Sequence, residues 1–266
     1  MRLATFNILH AKSMVDGLVD VDRFAQAVRA LDADVLGLQE VDRDQPRSHG
    51  ADLAAVAAQA MGAREHRFVA TMTGVPGHWS AATGDHQPSS ASYGIALLSR
   101  HPVRFWRTIE LPGLRAGVPV VSPGNHRLAL VRDEPRAAVV AVLDTPDGPL
   151  TVVATHLTLI PGLNTLQLRR LVRLVRKLPR PLVVLGDLNL AGTRPARATK
   201  MRALATALTF PVSAPRRQID HILGVGPVRA TSAGTGIDLG LSDHRALVVE
   251  VELTAKAPLN LDPAPR

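Results

Sequence analysis

The 266-residue sequence contains no cysteine. Disulfide frameworks, thiolate metal sites and thiol nucleophiles are therefore excluded, and chemistry must come from carboxylates and imidazoles. Aromatic residues make up only 3% of the chain, so platforms that stack several bases are scarce. No apolar run approaches the roughly 18 residues that a membrane helix needs, and a strand pattern begins at Leu3, which leaves no room for a signal peptide. We therefore expect a cytoplasmic protein without a membrane span.

Hydrophobic residues make up 46% of the chain, which is enough for a sizeable core. The net charge of +8 and the isoelectric point of about 11.0 suggest a polyanionic partner, such as nucleic acid or an anionic membrane surface. A general excess of arginine explains the same charge, because the only lysines are Lys12, Lys177, Lys200 and Lys256. Both interpretations of the charge stay open.

Several apolar runs that predict buried strands meet polar side chains at their ends. The run at 181–185 continues into Gly186, Asp187, Leu188 and Asn189, and alternation along a strand places Asp187 and Asn189 on one face. A carboxylate can take a proton from water while a neighbouring amide orients the water or the substrate. The polar residues at the other strand ends are Asn7, Glu40, His156, Asp220, Asp243 and His244.

Apolar spacing predicts helices at 19–31, with Asp20 as its cap, at 51–61, with Gly62 at its end, at 163–178 and at 201–208. Strands are expected at 3–8 and 35–41, joined by the first helix in a right-handed crossover that brings Asn7 and Glu40 to one crevice. Further strands are expected at 67–70, at 93–100 with 103–111 as its neighbour, at 125–134, at 218–223 and at 245–253. The segments 137–143 and 150–156 form a hairpin around Asp147-Gly148.

Two segments allow both a functional and a structural interpretation. The stretch 71–92 is rich in Gly, Ser, Thr and Pro and predicts a long mobile surface loop, which either covers a site or is a plain insertion. We assign no metal to its His78, Trp79 and His86. The helix at 163–178 carries a basic face, which we interpret as solvated rather than as a nucleic-acid surface. That face consists of Arg169, Arg170, Arg173, Arg176 and Lys177.

No repeat or linker divides the chain. We therefore predict one catalytic domain over 1–254 and a Pro-rich, disordered tail over 255–266. The sequence indicates no oligomeric state.

The collected strand-end residues offer mainly oxygen ligands. Such a set suits Mg²⁺, or Mn²⁺ as the alternative, and Glu40 is the best single ligand candidate. Zinc is disfavoured because no His-x-x-x-His spacing is present. The two imidazoles suit a phosphoester: a protonated histidine can stabilise charge on the phosphoryl oxygens, with Asp220 keeping it protonated, while Asp187 deprotonates the attacking water.

These residues occur in motifs that resemble the endonuclease/exonuclease/phosphatase superfamily of metal-dependent hydrolases. In chain order the motifs are TFNI at 5–8, LQEV at 38–41, YG at 93–94 with LLSR at 97–100, THL at 155–157, GDLN at 186–189, IDHI at 219–222 and SDH at 242–244. The resemblance implies an α/β fold in four layers, with two packed mixed β-sheets flanked by helices. It spans nearly the whole chain.

The resemblance also implies residue roles. By this resemblance Asn7 and Glu40 lie at the magnesium, and Asp243 assists there. Asp187 acts as base or positions the water, with Asn189 beside it. His156 and His244 contact the scissile phosphate. Asp220 orients His244. Tyr93, Arg136, Arg216 and Arg217 are candidates for substrate binding, although an ion pair with Glu134 is an equal explanation of Arg136.

The leading functional hypothesis is a Mg²⁺-dependent phosphodiesterase acting on DNA or RNA. The first alternative is a phosphatase or phosphodiesterase acting on a phospholipid, an inositol phosphate or another small phosphoester, because relatives differ in substrate. The second is a non-catalytic binding module on the same fold. The intact catalytic positions argue against the second alternative.

Overall fold

The computed structural model describes residues 1–82, 88–114, 118–121, 128–131 and 133–254, and only the backbone at 118–121 and 128–131. In chain order the strands are β1 (Arg2–Asn7), β2 (Val35–Arg43), β3 (Glu65–Val75), β4 (His78–Ala81), β5 (Ser92–Ser99), β6 (Val103–Leu111), β7 (Val118–Val121), β8 (Leu128–Val131), β9 (Arg136–Thr145), β10 (Gly148–His156), β11 (Leu182–Asp187), β12 (Arg202–Ala203), β13 (Asp220–Val225), β14 (Val228–Ala230), β15 (Thr235–Ile237) and β16 (Ala246–Leu253). The α-helices are α1 (Val21–Leu31), α2 (Leu53–Met61), α3 (Leu163–Val175) and α4 (Arg194–Thr199), and short 3-10 turns lie at Leu9–Ala11 and Pro46–Ser48.

The strands form two large mixed sheets. The first sheet has eight strands in the order β14-β16-β1-β2-β5-β3-β4, with β15 also paired to β16. The second sheet has six strands in the order β12-β13-β11-β10-β9-β6. Each sheet contains one parallel pair at its centre, β1 with β2 and β10 with β11. Strands β7 and β8 form a separate antiparallel pair.

Three apolar clusters hold the layers together. The central cluster joins the inner faces of the two sheets and includes Val35 and Leu97 from the first sheet and Val139 and Val183 from the second. A second cluster packs α1 and α2 on the outer face of the first sheet. A third packs α3 on the outer face of the second. The arrangement is therefore helix, sheet, sheet, helix, which confirms the predicted four-layer sandwich.

Local signals in the sequence place most elements correctly. The Asp20 carboxylate accepts a hydrogen bond from the backbone N–H of Arg23 and caps α1 as predicted. Gly62 ends α2 in the left-handed conformation. The hairpin of β9 and β10 also forms, with Thr145 opposite Gly148. The basic side chains of α3 are opposite its apolar face, where Leu168, Leu171 and Val175 are buried.

Four predictions about secondary structure need correction. Residues 71–82 are not a long loop, because β3 continues to Val75 and pairs with β4 in a hairpin. Strand β6 is not the neighbour of β5; it pairs with β9 in the second sheet, since alternation alone does not specify a partner. The short helix lies at α4 rather than at 201–208, where β12 forms instead. Within the described residues, β8 pairs with β7 and with no strand of the two large sheets.

The remaining predictions concern residues that the structure does not describe, membrane helices and the division into domains. His86 and the proposed tail at 255–266 lie outside the described residues. Among the residues that the structure describes, no helix combines the length and the apolar character that crossing a membrane requires. The division into one domain over 1–254 stays a prediction.

The topology brings the polar strand ends to one edge. In both sheets the central parallel pair ends at this edge, so Asn7 of β1 and Asp187 of β11 lie close together. Strands β13 and β16 run antiparallel to their neighbours and therefore begin at the same edge. Asp220 accordingly lies opposite Asp187 in the strand register, and His244 just precedes β16.

The close approach of β10 and β11 depends on Gly186. Its φ is +145°, and a Cβ at this position would lie 1.9 Å from the carbonyl oxygen of Thr155. We expect Gly186→Ala to lower the free energy of unfolding by about 2 kcal/mol or more, measured by urea denaturation. Gly148→Ala is the matched control, because its φ is +116° but no atom lies within 4 Å of the added Cβ. Equal losses in the two variants would contradict this explanation.

Candidate active site

A cavity of about 550 Å³ opens at the edge where these strand ends meet. Its lining combines carboxylates, imidazoles, arginines and a few apolar side chains. The residues are Leu9, His10, Glu40, Arg47, Met72, Trp79, Tyr93, Glu134, Arg136, His156, Leu159, Asp187, Asn189, Phe210, Arg217, Ile219 and His244. The mixture is typical of a reactive site rather than of a purely apolar binding cleft.

One side of the site is organised by Asn7. Its Nδ2 donates to Glu40 Oε1 at 3.0 Å and to Asp187 Oδ2 at 3.2 Å, so one amide links a carboxylate of each sheet. Its Oδ1 accepts from the backbone N–H of Leu9 at 3.2 Å. Asn7 and Glu40 therefore lie side by side, as the predicted crossover requires. The two carboxylates lie close enough to share a partner.

Glu40 lies within β2 rather than at its end. The register with β5 shifts between Leu38 and Val41, and Glu40 takes a positive φ of 57° at this bulge. A bulge redirects a side chain that regular alternation would place elsewhere. Burial raises the pKa of the Glu40 carboxyl, while the hydrogen bond from Asn7 opposes that increase. A nearby cation would therefore stabilise this carboxylate strongly.

The other side contains a buried pair, His244 and Asp220. His244 Nδ1 lies 2.9 Å from Asp220 Oδ2, and both side chains are almost wholly inaccessible. Burial opposes the imidazolium charge, but Asp220, Asp187 and Asp243 outweigh it and raise the pKa of His244 to about 10. His244 is therefore protonated at neutral pH and donates its Nδ1 proton to Asp220.

The backbone before β16 fixes the position of His244. Ser242 adopts a positive φ of 63°, and its Oγ donates to the carbonyl oxygen of Asn7 at 2.6 Å. The same Oγ accepts from the backbone N–H of His244 at 3.1 Å. The ring of Phe210 packs against the imidazole at a centroid distance of 4.9 Å. These contacts hold the imidazole beside Asp187, 3.8 Å from Nε2 to Oδ2.

Asp187 lies between the two histidines. Burial and the charge of Asp220 raise the pKa of Asp187 to about 7, although the protonated His244 opposes the increase. Its Oδ1 accepts from the backbone N–H of Asn189 at 2.9 Å. A carboxyl group whose pKa is near neutrality can exchange a proton with water under physiological conditions.

His156 differs from His244 in its charge. Burial, Arg136 and the charged His244 lower the pKa of His156 well below its usual value, so its imidazole is neutral. Its Nε2 lies 3.5 Å from Asp187 Oδ2. The Asn189 side chain donates to the carbonyl oxygen of Leu157 at 3.0 Å and lies 3.5 Å from the same Nε2. The site thus contains one charged and one neutral imidazole.

The predicted substrate-binding residues and Asp243 occupy different positions around Asp187 and the two histidines. Tyr93, Arg136 and Arg217 line the cavity, whereas Arg216 is exposed and outside its lining. Arg136 pairs with Glu134 at 3.1 Å, and its buried Nε has no acceptor among the described residues. Asp243 lies beside the centre, with Oδ1 4.0 Å from His244 Nε2. The roles of all these residues stay predictions.

The sequence did not identify several residues of the lining as part of the site. His10 and Arg47 lie in the two short 3-10 turns, and Phe210 comes from a loop. Trp79 reaches the cavity only because β4 pairs with β3. Of these residues, only Trp79 offered a signal, as one of the two tryptophans in a chain poor in aromatics.

Two groups of side chains could hold a metal ion. Asp187, Asp220 and His244 offer ligand atoms within 4.8 Å of one another. An ion in that cluster would compete with the hydrogen bond between His244 and Asp220. Glu40 and Asn7, which are hydrogen-bonded to each other, form the second group and have the hard oxygen ligands that Mg²⁺ prefers. The chemistry of the donors favours the second group.

A family model matches residues 4–244 of this sequence and describes the endonuclease/exonuclease/phosphatase family. The chain belongs to this family. The match covers every motif from Asn7 to His244 and confirms the resemblance predicted from the sequence. A comparison with curated protein sequences found no match.

Several solved structures share the fold of this chain. An endonuclease/exonuclease/phosphatase from Beutenbergia cavernae has 25% identity and a TM-score of 0.68, over 95% of this chain and 71% of that one. A mannosyl-6-phosphatase from Bacteroides thetaiotaomicron has 17% identity and a TM-score of 0.62, over 95% and 99%. A sphingomyelinase C from Streptomyces griseocarneus has 16% identity and a TM-score of 0.58, over 94% and 98%. The family fold is thus compatible with differently named enzymes.

The charge of His244 should depend on Asp220. In Asp220→Asn we expect the pKa of His244 to fall from about 10 toward 6.5, because the nearest negative charge is lost. Chemical shifts of the imidazole nitrogens, followed by NMR against pH, would measure this, with His244→Gln identifying the resonance. Asp243→Asn is the control and should produce a smaller decrease, since Asp243 lies 4.0 Å from Nε2. An unchanged pKa in Asp220→Asn would disprove the assignment.

The same pair should make stability depend on pH. The pKa of His244 is higher in the folded protein than in the unfolded chain, so the contribution of His244 to folding stability is complete below about pH 6.5. The contribution is lost as the pH rises through about 10. Urea denaturation of the wild type and of His244→Gln at about pH 6.5 and about pH 10 would measure the difference in the free energy of unfolding between the two proteins. We expect this difference to be smaller at the higher pH.

Proposed function

We propose that this protein hydrolyses phosphoester bonds with the aid of Mg²⁺. The observation that carries this proposal is the arrangement of His244, held by Asp220 at 2.9 Å, beside the buried carboxylate of Asp187 at 3.8 Å. Such a site offers a hydrogen-bond donor with positive charge next to a proton acceptor. Hydrolysis of a phosphoester needs both, one for the phosphoryl oxygens and one for water.

The residues of the chain have distinct roles in this reaction. Asp187 accepts a proton from the attacking water, and its pKa of about 7 allows it to release that proton afterwards. His244 donates from Nε2 to a phosphoryl oxygen, where negative charge develops. His156 is neutral and can donate one further hydrogen bond without adding charge. Asn189 lies against His156 and Asp187 and positions both.

Glu40 and its neighbours have the donor chemistry for such a metal. Mg²⁺ held there would supply positive charge to phosphoryl oxygens. Glu40 and Asn7 are the expected ligands, and Asp243 assists. Because the Asn7 amide now directs its NH₂ group to Glu40 and Asp187, the amide must rotate to offer its oxygen to a cation. Mn²⁺ has the same preference for oxygen and is the expected substitute.

For the substrate, we propose a nucleic-acid phosphodiester. Arg47, Arg136 and Arg217 surround the cavity and can balance the charge of a phosphate. The unsatisfied Nε–H of Arg136 supports this role, because a phosphate oxygen would provide its missing acceptor. DNA or RNA as partner, and the cytoplasm as location, belong to the same proposal.

One observation favours a smaller phosphoester as the second candidate. The cavity volume of about 550 Å³ lies within the range of small-molecule sites. Two of its arginines are already paired with carboxylates, Arg47 with Asp42 and Arg136 with Glu134. A phospholipid head group, an inositol phosphate or a sugar phosphate would need fewer free cations than a polynucleotide.

A panel of phosphoesters separates these candidates. Purified protein is incubated with plasmid, DNA and RNA oligonucleotides, phospholipids, inositol phosphates and sugar phosphates, each with Mg²⁺, Mn²⁺ or EDTA. The nuclease proposal expects cleavage of a nucleic acid that stops with EDTA and weakens steeply with salt. Turnover of small phosphoesters alone would favour the second candidate. No turnover of any phosphoester would overturn the proposed function.

Removing the reacting groups should abolish this activity. We expect Asp187→Asn and His244→Gln each to lower kcat by about 100-fold or more, since each removes a group used in the transition state. His66→Gln is the matched control, because His66 is exposed on β3. Circular dichroism would show whether the variants are folded. Full activity in either of the first two variants would contradict the assigned roles.

The metal can be tested apart from catalysis. Glu40→Gln should weaken binding of Mn²⁺ by about tenfold or more, because it removes a charged oxygen ligand. Electron paramagnetic resonance of free Mn²⁺ measures this directly. Glu65→Gln serves as control, since Glu65 accepts a hydrogen bond from the backbone N–H of Val103 and is not among the residues that line the cavity. Equal affinity in Glu40→Gln and wild type would place the metal elsewhere.

A further inference from the structure

The hairpin of β3 and β4 delivers an aromatic side chain to the cavity. Trp79 lies opposite Gly74 in its register, and a Cβ on Gly74 would meet the carbonyl oxygen of His78 at 2.2 Å, so the two strands approach closely there. The buried Gln45 fixes the hairpin by donating to the carbonyl oxygens of Gly74 and Ser92 at 2.8 and 3.2 Å. Trp79 is therefore held on a structured element.

Three planar groups form one wall of the cavity, which we call the Trp79 wall: Arg47, Trp79 and Tyr93. The rings of Trp79 and Tyr93 lie 6.0 Å apart at 52°. The Arg47 guanidinium carbon lies 5.5 Å from the Tyr93 ring centroid and 5.9 Å from that of Trp79. All three residues line the same cavity as Glu40 and His244. A group bonded to the reacting phosphate can therefore reach this wall.

The position of Arg47 is fixed before any ligand binds. Its Nε and Nη2 donate to the two oxygens of Asp42 at 2.8 and 2.7 Å, and Ser48 Oγ donates to the same buried carboxylate. Because this fork holds the guanidinium in place, Arg47 can offer a ligand its planar face together with its remaining N–H groups. Such a face stacks on flat rings, as the face of an indole does.

We propose that the Trp79 wall stacks the base of a nucleotide whose phosphate lies at the reacting residues. This inference rests on the proposed function and specifies its substrate class: a phosphoester that carries a flat heterocyclic ring. The cavity volume suits one nucleotide unit. With aromatics at 3% of the chain, a continuous stacking surface for a long strand is not expected.

The two tryptophans of the chain allow a direct test. Trp106 lies in β6, donates to Glu65 and is outside the cavity lining. In Trp106→Phe the fluorescence therefore reports Trp79 alone, and in Trp79→Phe it reports Trp106 alone. Each protein is titrated with adenosine 5′-monophosphate and with ribose 5-phosphate, which lacks the base. Ca²⁺ replaces Mg²⁺ to limit turnover, and excitation lies beyond the absorption of adenine.

We expect adenosine 5′-monophosphate to quench the fluorescence of Trp106→Phe and to leave the fluorescence of Trp79→Phe unchanged. The nucleotide should also bind about tenfold more tightly than ribose 5-phosphate. By calorimetry, Trp79→Ala should lose about tenfold in affinity for the nucleotide, whereas Trp79→Phe retains most of it. Equal affinity for both ligands, or no loss in Trp79→Ala, would overturn the inference even if phosphoesters are hydrolysed. Stacking without hydrolysis of any phosphoester would support the base site and overturn the proposed function.

Discussion

A buried hydrogen bond between Asp220 and His244 joins the two sheets at the reactive edge. Asp220 begins β13 of the second sheet, and His244 precedes β16 of the first. Isolated charges are costly in a protein interior, so each group requires the other. The pair therefore constrains the packing of the sheets as well as the charge of the imidazole. A further hydrogen bond between the two sheets runs from the Asn7 amide to the Asp187 carboxylate.

Burial gives the neighbouring groups their different properties. The same loss of solvent raises the pKa of Asp187 and of Glu40 and lowers that of His156. His244 is the exception because surrounding carboxylates outweigh its desolvation. A site with a charged imidazole, a neutral imidazole and a carboxyl group near neutrality follows from these positions alone. Divergence of this kind is a common feature of acid–base sites.

The shared family fold does not by itself specify the substrate of this chain. The shared architecture explains why strand ends from both sheets meet, and membership of the endonuclease/exonuclease/phosphatase family rests on nearly the whole sequence. Substrate choice depends instead on the walls of the cavity. In this chain one wall comes from the hairpin of β3 and β4 and another from the strand end at Arg136. Those walls carry the proposals made for a nucleotide substrate.

Much of the fold and of the central site could be predicted from local signals. The cap at Asp20, the glycine at the end of α2 and the apolar runs that form β1, β2 and β11 act over a few residues. Asn7 and Asp187 end β1 and β11 as predicted, and parallel strands expose such ends at one edge, whereas Glu40 lies within β2 and not at its end. The partner of β6 and the hairpin within 71–82 were missed, since pairing depends on residues distant in sequence.

The sequence by itself therefore determined most of the long elements, the family and the set of polar residue types at the strand ends, since these depend on periodicity and on short motifs. Only the tertiary structure decided which imidazole carries a proton, how the bulge redirects Glu40, and which side chains line the cavity. These properties depend on distances across the interface between the sheets. Trp79 and Arg47 lie beside Tyr93 for the same reason: packing between distant segments brings them together.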